Sequence, residues 1–521
     1  MPRYFNTTGP CDPARHYYLP TDARLPDLQP FLDREQYFVL HAPRQTGKTT
    51  AMRTLAQALR ERGVAGCWVT LERAQGIDDT AHSEPLWLRA LHDWSCSTMP
   101  EGWRAPDPVP FLDGTPGSRL GDYLRTWSAS LSVPLVLLLD EADVVTGPAM
   151  VSLLRQLRDG FMDRGVGKFP TSVALIGMRD LRDYVVQSKD GRFVNPGSPF
   201  NIKAASVTLR NFNAQEVAEL VAQHTEETGQ AFAPDAVEAL ARITDGQPYL
   251  VNALADICVT HLVPDRAQTI TGRNVDDARE QLILARTTHL DSLAERLKEP
   301  RVAHIVQAVM LGDAPFSITY SGDDFQYVLD LGLLRRGPDG AEPANPMYRE
   351  VLARQLSYDM QASVPKPDWP WATPDGRLDF PALLAAFRLW WRQNADVAGR
   401  PIPEYPEAVP HLALCAFLQR VINGGGTVHR EFAAGRGAMD LLVDYGPDRF
   451  ALELKRVRTR DSLDAVVETG VAQLGRYLDT VGLDHGWLVV FDVRPDKTWE
   501  ERLWTREATT VDGKRVVVLG A

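Results

Sequence analysis

The string Ala42-Pro43-Arg44-Gln45-Thr46-Gly47-Lys48-Thr49 constrains this chain more than any other eight residues in it. It follows a short apolar run, Tyr37 to Leu40, and precedes a helix-compatible stretch, Thr50 to Arg62. The run is rich in aromatic and β-branched residues and reads as a buried parallel strand. Strand, loop and helix in that order make a cradle for phosphate. Successive backbone N–H groups face the anion, and the helix N-terminus adds its positive dipole. The pattern is GxxxxGK[ST] with alanine at the first glycine, where a small residue suffices. Ala42, Pro43, Arg44, Gln45, Thr46, Gly47, Lys48, Thr49 and Thr50 are therefore the expected nucleotide-binding residues. Lys48 is expected on the β- and γ-phosphates of ATP, and the Thr49 hydroxyl on Mg²⁺.

A second string supports the first. Leu135-Val136-Leu137-Leu138-Leu139 is an apolar run that ends in Asp140-Glu141. Two carboxylates at the end of a buried strand are costly unless they have partners there. At a phosphate loop the first holds Mg²⁺ and the second polarises the attacking water. Asp140 is thus the expected metal ligand and Glu141 the expected hydrolytic base. A third strand, Ser172 to Gly177, ends in Met178-Arg179. Open α/β sheets bind ligands at the carboxyl ends of their strands, so Arg179 is a candidate sensor of the γ-phosphate. Arg192 is a weaker candidate, for a finger acting on a neighbouring subunit.

The order of these strands resembles the AAA+/STAND branch of P-loop ATPases. That resemblance implies a parallel-sheet ATPase core over residues 1–205 and a helical lid over 206–297. The helical patterns at Gln215 to Val221 and Ala236 to Ile243 fit a lid. The turn Gly246-Gln247-Pro248 matches the family's Gly-x-Pro, which places Pro248 near the nucleotide. Residues 298–360 resemble the winged-helix module that often follows such a lid. In these ATPases that module binds DNA or clamps the nucleotide, and Arg335 and Arg336 are too few to choose between the two. Residues 361–405 read as a linker with one short helix, Leu383 to Gln393. Pro365, Pro367, Pro370, Pro374 and Pro381 crowd it, and Pro401, Pro403 and Pro406 follow.

The last segment, 406–521, holds a different chemistry. Residues 438–456 read as two apolar strands around Gly446-Pro447-Asp448-Arg449. A two-residue turn at Pro447-Asp448 sets Asp440 opposite Lys455 and Leu442 opposite Glu453. Period two then puts Asp440, Glu453 and Lys455 on one face. Two carboxylates that hold Mg²⁺ or Mn²⁺, with a lysine beside them, suit phosphodiester hydrolysis. The pattern Asp-x12-Glu-x-Lys resembles the PD-(D/E)xK nuclease superfamily. Gln473 and Tyr477 match the Q-x3-Y of many such nucleases. A helix near Pro410 to Val421 and strands near Val428 to Phe432, Trp487 to Phe491 and Arg515 to Leu519 complete the expected α-β-β-β-α-β core. Glu407 sits where the family has a further glutamate. The stretch from Arg430-Glu431 to Asp440 looks specifically like bacterial proteins that fuse an AAA-like ATPase to this fold. With the ATPase half, the resemblance spans nearly the whole chain.

Composition narrows the partners. The chain has 521 residues and a formal charge of −12, which excludes a uniformly basic nucleic-acid binder but not a local basic groove. Residues 411–521 hold 15 Lys/Arg against 16 Asp/Glu, yet Lys455, Arg456, Arg458 and Arg460 cluster beside the expected site, with Arg436 and Arg476 as further candidates. The five cysteines are scattered, with no CxxC, which fits a reducing cytoplasm. No signal region or membrane span is evident. The expected fold class is α/β and multidomain: P-loop core, helical lid, winged helix and restriction-endonuclease-like domain. The expected function is ATP-regulated, metal-dependent cleavage of DNA rather than RNA, in defence or DNA processing, with room for a homo-oligomer. The rival reading is an ATP-switched signalling or scaffold protein whose nuclease-like domain only binds nucleic acid or protein.

Overall fold

Short, nearly continuous apolar runs build the first sheet. Its strands are β1 (Tyr37–His41), β2 (Ala65–Thr70), β3 (Leu135–Asp140) and β4 (Ser172–Gly177). A pair of two-residue strands follows, β5 (Val186–Gln187) and β6 (Phe193–Val194), and then β7 (Lys203–Thr208). The computed structural model describes residues 2–25, 28–162, 164, 168–178, 186–187, 193–194, 203–285, 288–310, 323–337, 340–363, 373, 377–398, 413–415, 417–418, 426–432, 439–458, 461–494 and 496–521. The described residues divide into two units: Met1–His289 with Gly322–Leu333, and Leu290–Ser321 with Leu334–Ala521.

In the first unit the strand order is β2-β3-β4-β1-β7, with every neighbour parallel. Both faces are covered, as a parallel sheet requires. Odd-numbered residues such as Val39, Val69, Leu137 and Leu175 share a core with Leu88, Tyr123, Trp127 and Leu153 from helices Thr80–Thr98, Arg119–Ser130 and Gly147–Met162. Even-numbered residues such as Leu40, Trp68, Leu138 and Ile176 pack on Met52, Ala56 and Leu59 of helix Lys48–Glu61. Each large buried side chain contributes about 1.5–3 kcal/mol. The chain leaves β1 for the far edge at β2, returns through β3 and β4, and then passes β1 to reach β7. That reversal opens a crevice at the carboxyl end of β1.

Helices Ala214–Thr228, Pro234–Thr244, Pro248–Ile257 and Gly272–Leu284 come after the sheet. The first is stopped at its N-terminus by a capping box, Asn213 with Glu216. Gly246 takes φ +67°, and a Cβ there would lie 1.8 Å from the Phe212 carbonyl oxygen, so only glycine fits. The sheet runs on to Thr208, past the expected core limit at 205, because β7 pairs with β1.

The second unit holds helix Pro300–Met310, the hairpin β8 (Leu334–Gly337) and β9 (Gly340–Pro343), and helix Pro346–Ser363. Helix Asp323–Asp330 lies between them in sequence and belongs to the first unit. The hairpin's Arg335 pairs with Glu342 at 2.8 Å. The larger sheet contains β10 (Gly426–Phe432), β11 (Met439–Tyr445), β12 (Asp448–Val457), β13 (His485–Asp492), β14 (Thr505–Thr509) and β15 (Arg515–Gly520). Their order is β10-β11-β12-β13-β15-β14. β10, β11 and β12 form an antiparallel meander, and helix Leu463–Val481 crosses over to bring β13 parallel to β12. The edge strand β14 was not anticipated, since Thr-Arg-Glu-Ala-Thr carries no apolar alternation.

Two expectations change in detail. The β11–β12 turn is Gly446-Pro447, with Tyr445 opposite Asp448, so Asp440 faces Glu453 and not Lys455. Gly446 supplies the positive φ, +56°, that such a tight turn needs, and proline brings its own fixed negative φ to the next position. The pairing shifts by two residues, so no side changes face. The stretch read as a linker contains a 19-residue helix, Phe380–Ala398. Phe380 stacks on Phe450 at 4.4 Å, and Phe387 meets Phe491 at 6.1 Å, which places the helix on this sheet. Arg179, Arg192, Glu407, Arg436 and Arg460 lie outside the described residues, as does most of 410–421. Among the described residues no helix is long and apolar enough to cross a membrane.

Phe387 is 1% exposed within that aromatic contact. Phe387→Ala is expected to destabilise the second unit by about 3–5 kcal/mol, read from denaturant unfolding.

Candidate nucleotide site and carboxylate–lysine site

The loop after β1 is held by donors on its carbonyls. Lys48 Nζ donates to the oxygens of Ala42 (2.6 Å) and Pro43 (2.8 Å), and Thr46 Oγ1 also donates to Pro43 (2.9 Å). Gln247 Nε2 reaches the oxygens of Arg44 and Gln45, each at 3.4 Å. Arg24 Nη1 donates to Thr46 O at 3.1 Å. Every carbonyl from Ala42 to Thr46 thus has a donor. Across a trans peptide the next N–H points the opposite way, which leaves the loop's N–H groups for an anion. Gly47 has φ +95° and caps helix Lys48–Glu61. Thr50 Oγ1 accepts from the Cys11 amide at 3.1 Å, so an N-terminal strap crosses the start of that helix.

Lys48 is almost fully buried, and burial pushes its pKa down, opposed by Glu141, Asp143 and Asp140. Asp140 ends β3 with 1% exposure. Thr49 Oγ1 donates to its Oδ2 at 2.7 Å, and the Glu141 amide donates to its Oδ1 at 2.9 Å. A hydroxyl and a carboxylate in contact are hard oxygen donors, the set that suits Mg²⁺. Glu141 is held at φ +53°, and burial raises its pKa, with Asp143 and Asp140 adding to the rise. Four described non-glycine residues have positive φ, and three of them, Gln45, Glu141 and Asp245, lie on the loop, beside it or in the turn that presents Gln247. Such strain collects at working sites.

Sequence reasoning chose Pro248 from the Gly-Gln-Pro turn. Pro248 is the buried first residue of its helix, and the side chain that reaches the loop is the preceding Gln247, whose Oε1 also caps that helix through the Leu250 amide at 2.7 Å. The glutamine stood inside the quoted motif. Arg24 carried no signal. It is buried on Phe212 at 4.6 Å, which draws its pKa down to about 10. Asp143 was also missed. Its Oδ2 accepts from the Met178 amide at 3.4 Å and ties the end of β4 to the acidic end of β3.

The second unit brings another set together. β-Register lays Glu431, Asp440 and Glu453 in one lateral row across β10, β11 and β12. Glu453 and Lys455 lie on the face that carries Ala451 and Val457, which packs on Leu474 and Leu478 of helix Leu463–Val481. Glu453 is fully buried, with Lys455 Nζ 2.5 Å from its Oε1. Among the described residues neither carboxylate oxygen accepts an aligned hydrogen bond, and the buried Oε1 of Gln473 has no donor. Burial raises the Glu453 pKa against the pull of Lys455 and Arg476. A buried carboxylate short of donors is chemically suited to a divalent cation, though no cluster of three metal-binding side chains occurs among the described residues. Strand alternation separates Arg456 from Lys455, so the expected basic cluster divides between two faces.

The model of the AAA domain family matches residues 32–185. Those residues are similar to AAA domains and include the phosphate loop, Asp140 and Glu141. Similar solved structures include the Walker-type ATPase of Pyrococcus abyssi, with 16% identity, 62% of this chain and 93% of that chain covered, and a TM-score of 0.45. The Holliday junction branch migration motor RuvB of Thermotoga maritima shows 15% identity, 62% and 90% coverage, and a TM-score of 0.33. Cdc6p from Pyrobaculum aerophilum shows 12% identity, 65% and 96% coverage, and a TM-score of 0.33. No curated protein matches the chain.

A carboxyl whose folded pKa lies above its unfolded value lends stability below the unfolded pKa and loses it as pH rises through the folded one. Glu453→Gln is therefore expected to raise the melting temperature of the second unit at pH 7 in metal-free buffer. The gain is expected to shrink as pH falls through the ordinary carboxylate range, in melts of both proteins across that range.

Proposed function

We propose that this chain is an ATP-driven regulator of its own metal-dependent nuclease site, acting on DNA. The observation that carries the ATP half is the 2.7 Å contact of Thr49 with Asp140 beside a buried lysine and a fully braced loop. Bound Mg²⁺ supplies charge neutralisation at the β- and γ-phosphates. Thr49 and Asp140 would hold it, and Lys48 faces the same phosphates. Glu141, its pKa raised toward working pH, orients and deprotonates the attacking water.

The nuclease half rests on the row that contains Asp440 and Glu453, with Lys455 on the same face as Glu453. A divalent cation there supplies a polarised water. Asp440 and Glu453 are the proposed ligands, Lys455 offsets charge that develops on the phosphate, and Gln473 orients groups at the edge of the site. Within the first unit Gly332, at φ +73°, abuts the phosphate loop, since a Cβ there would lie 2.3 Å from Pro43 Cγ. The finer reading is an AAA+/STAND-like ATPase with lid and winged helix, fused to a PD-(D/E)xK-like domain, cytoplasmic, able to assemble with its own copies, and used in defence or DNA processing.

The test is cleavage of plasmid, single-stranded DNA and RNA with Mg²⁺ or Mn²⁺, with and without ATP. Lys455→Ala is expected to lower DNA cleavage by at least about 10²-fold and leave ATP turnover intact, a loss of the size seen when a charge-stabilising group is removed. Lys48→Ala is expected to abolish ATP turnover and to change the dependence of cleavage on ATP. No cleavage of any substrate by a protein that still hydrolyses ATP would overturn the nuclease half in favour of a nucleotide-switched scaffold.

A further inference from the structure

A carboxyl group with 1% exposure needs hydrogen-bond partners, and Asp140 has three donors. Two come from the expected motifs, the Glu141 amide on Oδ1 and the Thr49 hydroxyl on Oδ2. The third comes from elsewhere: Trp68 Nε1 donates to Oδ2 at 3.1 Å. Trp68 stands on β2, paired with Leu138, two residues before Thr70, the partner of Asp140. It lies on the even-numbered face, beneath the helix that the phosphate loop opens.

The indole is fixed from two further elements. Trp94 of helix Thr80–Thr98 meets it edge-on at 4.5 Å, with an interplanar angle of 87°. Arg53 of helix Lys48–Glu61 places its guanidinium 5.5 Å from the Trp68 ring and 5.6 Å from the Trp94 ring. The two donors on Oδ2 differ in what they do when a cation arrives. The Thr49 hydroxyl can give a lone pair to the metal while its proton stays on Oδ2. The indole N–H has no lone pair to offer and stays a donor. It therefore holds the side-chain orientation of Asp140 from the Oδ2 side without itself becoming a metal ligand.

We propose that Trp68 is a positioning residue for the nucleotide-bound Mg²⁺, which it orients through its N–H bond to Asp140. The inference rests on the ATP-binding reading above. Outer donors of this kind typically set metal affinity by about 10–100-fold. Trp68→Phe keeps an aromatic ring against Trp94 and Arg53 and removes only the N–H and the indole's extra ring atoms.

The experiment measures equilibrium binding of a fluorescent ATP analogue to the full chain, first without metal and then across a Mg²⁺ titration. Trp68→Phe is expected to raise the Mg²⁺ concentration for half-saturation by about 10–100-fold while metal-free nucleotide affinity stays within about twofold of wild type. Trp94→Phe disturbs the same aromatic contact but makes no bond to Asp140, and is expected to leave the Mg²⁺ dependence unchanged. Trp68→His restores a ring N–H and is expected to recover part of the shift. An unchanged Mg²⁺ dependence in Trp68→Phe would overturn the proposal. So would an equal shift in Trp94→Phe, or a loss of metal-free binding in Trp68→Phe. Failure of the wild-type chain to bind the analogue would instead defeat the ATP-binding reading.

Discussion

The first unit depends on one juxtaposition: Thr49 and Asp140 meet although their strands are not neighbours. β4 stands between β1 and β3, so the two strand ends are two interstrand steps apart, roughly 10 Å. The loop and the first turn of helix Lys48–Glu61 close that gap. They can do so because Met52, Ala56 and Leu59 pin the helix to the even-numbered face over Leu138 and Trp68. Apolar packing thus carries a hydroxyl across the sheet to a carboxylate.

The loop itself is shaped from the side of its carbonyls. Lys48 ties the first two, Gln247 the next two and Arg24 the last. Two of these three braces come from distant elements, the N-terminal segment and the helical segment that follows the sheet. Gly246 against Phe212 and Gly332 against Pro43 are further close approaches in the same unit. The loop is therefore in direct contact with elements about 20 to 290 residues away in sequence.

The second unit shows a different economy. Its carboxylate row survives an error of two residues in the expected register because strands repeat every two residues. An odd slip would have sent Asp440 to the other face. The face is therefore a robust inference, and the particular partner of Asp440 is not. Glu453 lies among apolar neighbours with one lysine beside it, and burial there raises its pKa against the pull of that lysine.

Much of this was legible from local chemistry. The phosphate loop, β1, β3 with Asp140-Glu141, β4 and the pairing of β11 with β12 all follow from short-range patterns, because strand periodicity, glycine conformation and the order of charged residues are properties of neighbours along the chain. The rest follows from distance in space. Arg24 and Trp68 belong to no spacing rule, Gln247 holds only the open position of the Gly-x-Pro turn, and each acts on a group 22 to 203 residues away. Helix Phe380–Ala398 read as part of a proline-rich linker until Phe450 and Phe491 supplied the surface it covers. The hairpin turn fell one residue earlier than expected, because the positive φ falls to Gly446. The sequence alone determined the site-bearing strands, the phosphate loop and the strand positions of Asp140, Asp440, Glu453 and Lys455. Only tertiary structure decided which other side chains hold them in place, since a donor on a neighbouring strand or a brace from a distant helix leaves no trace in local order.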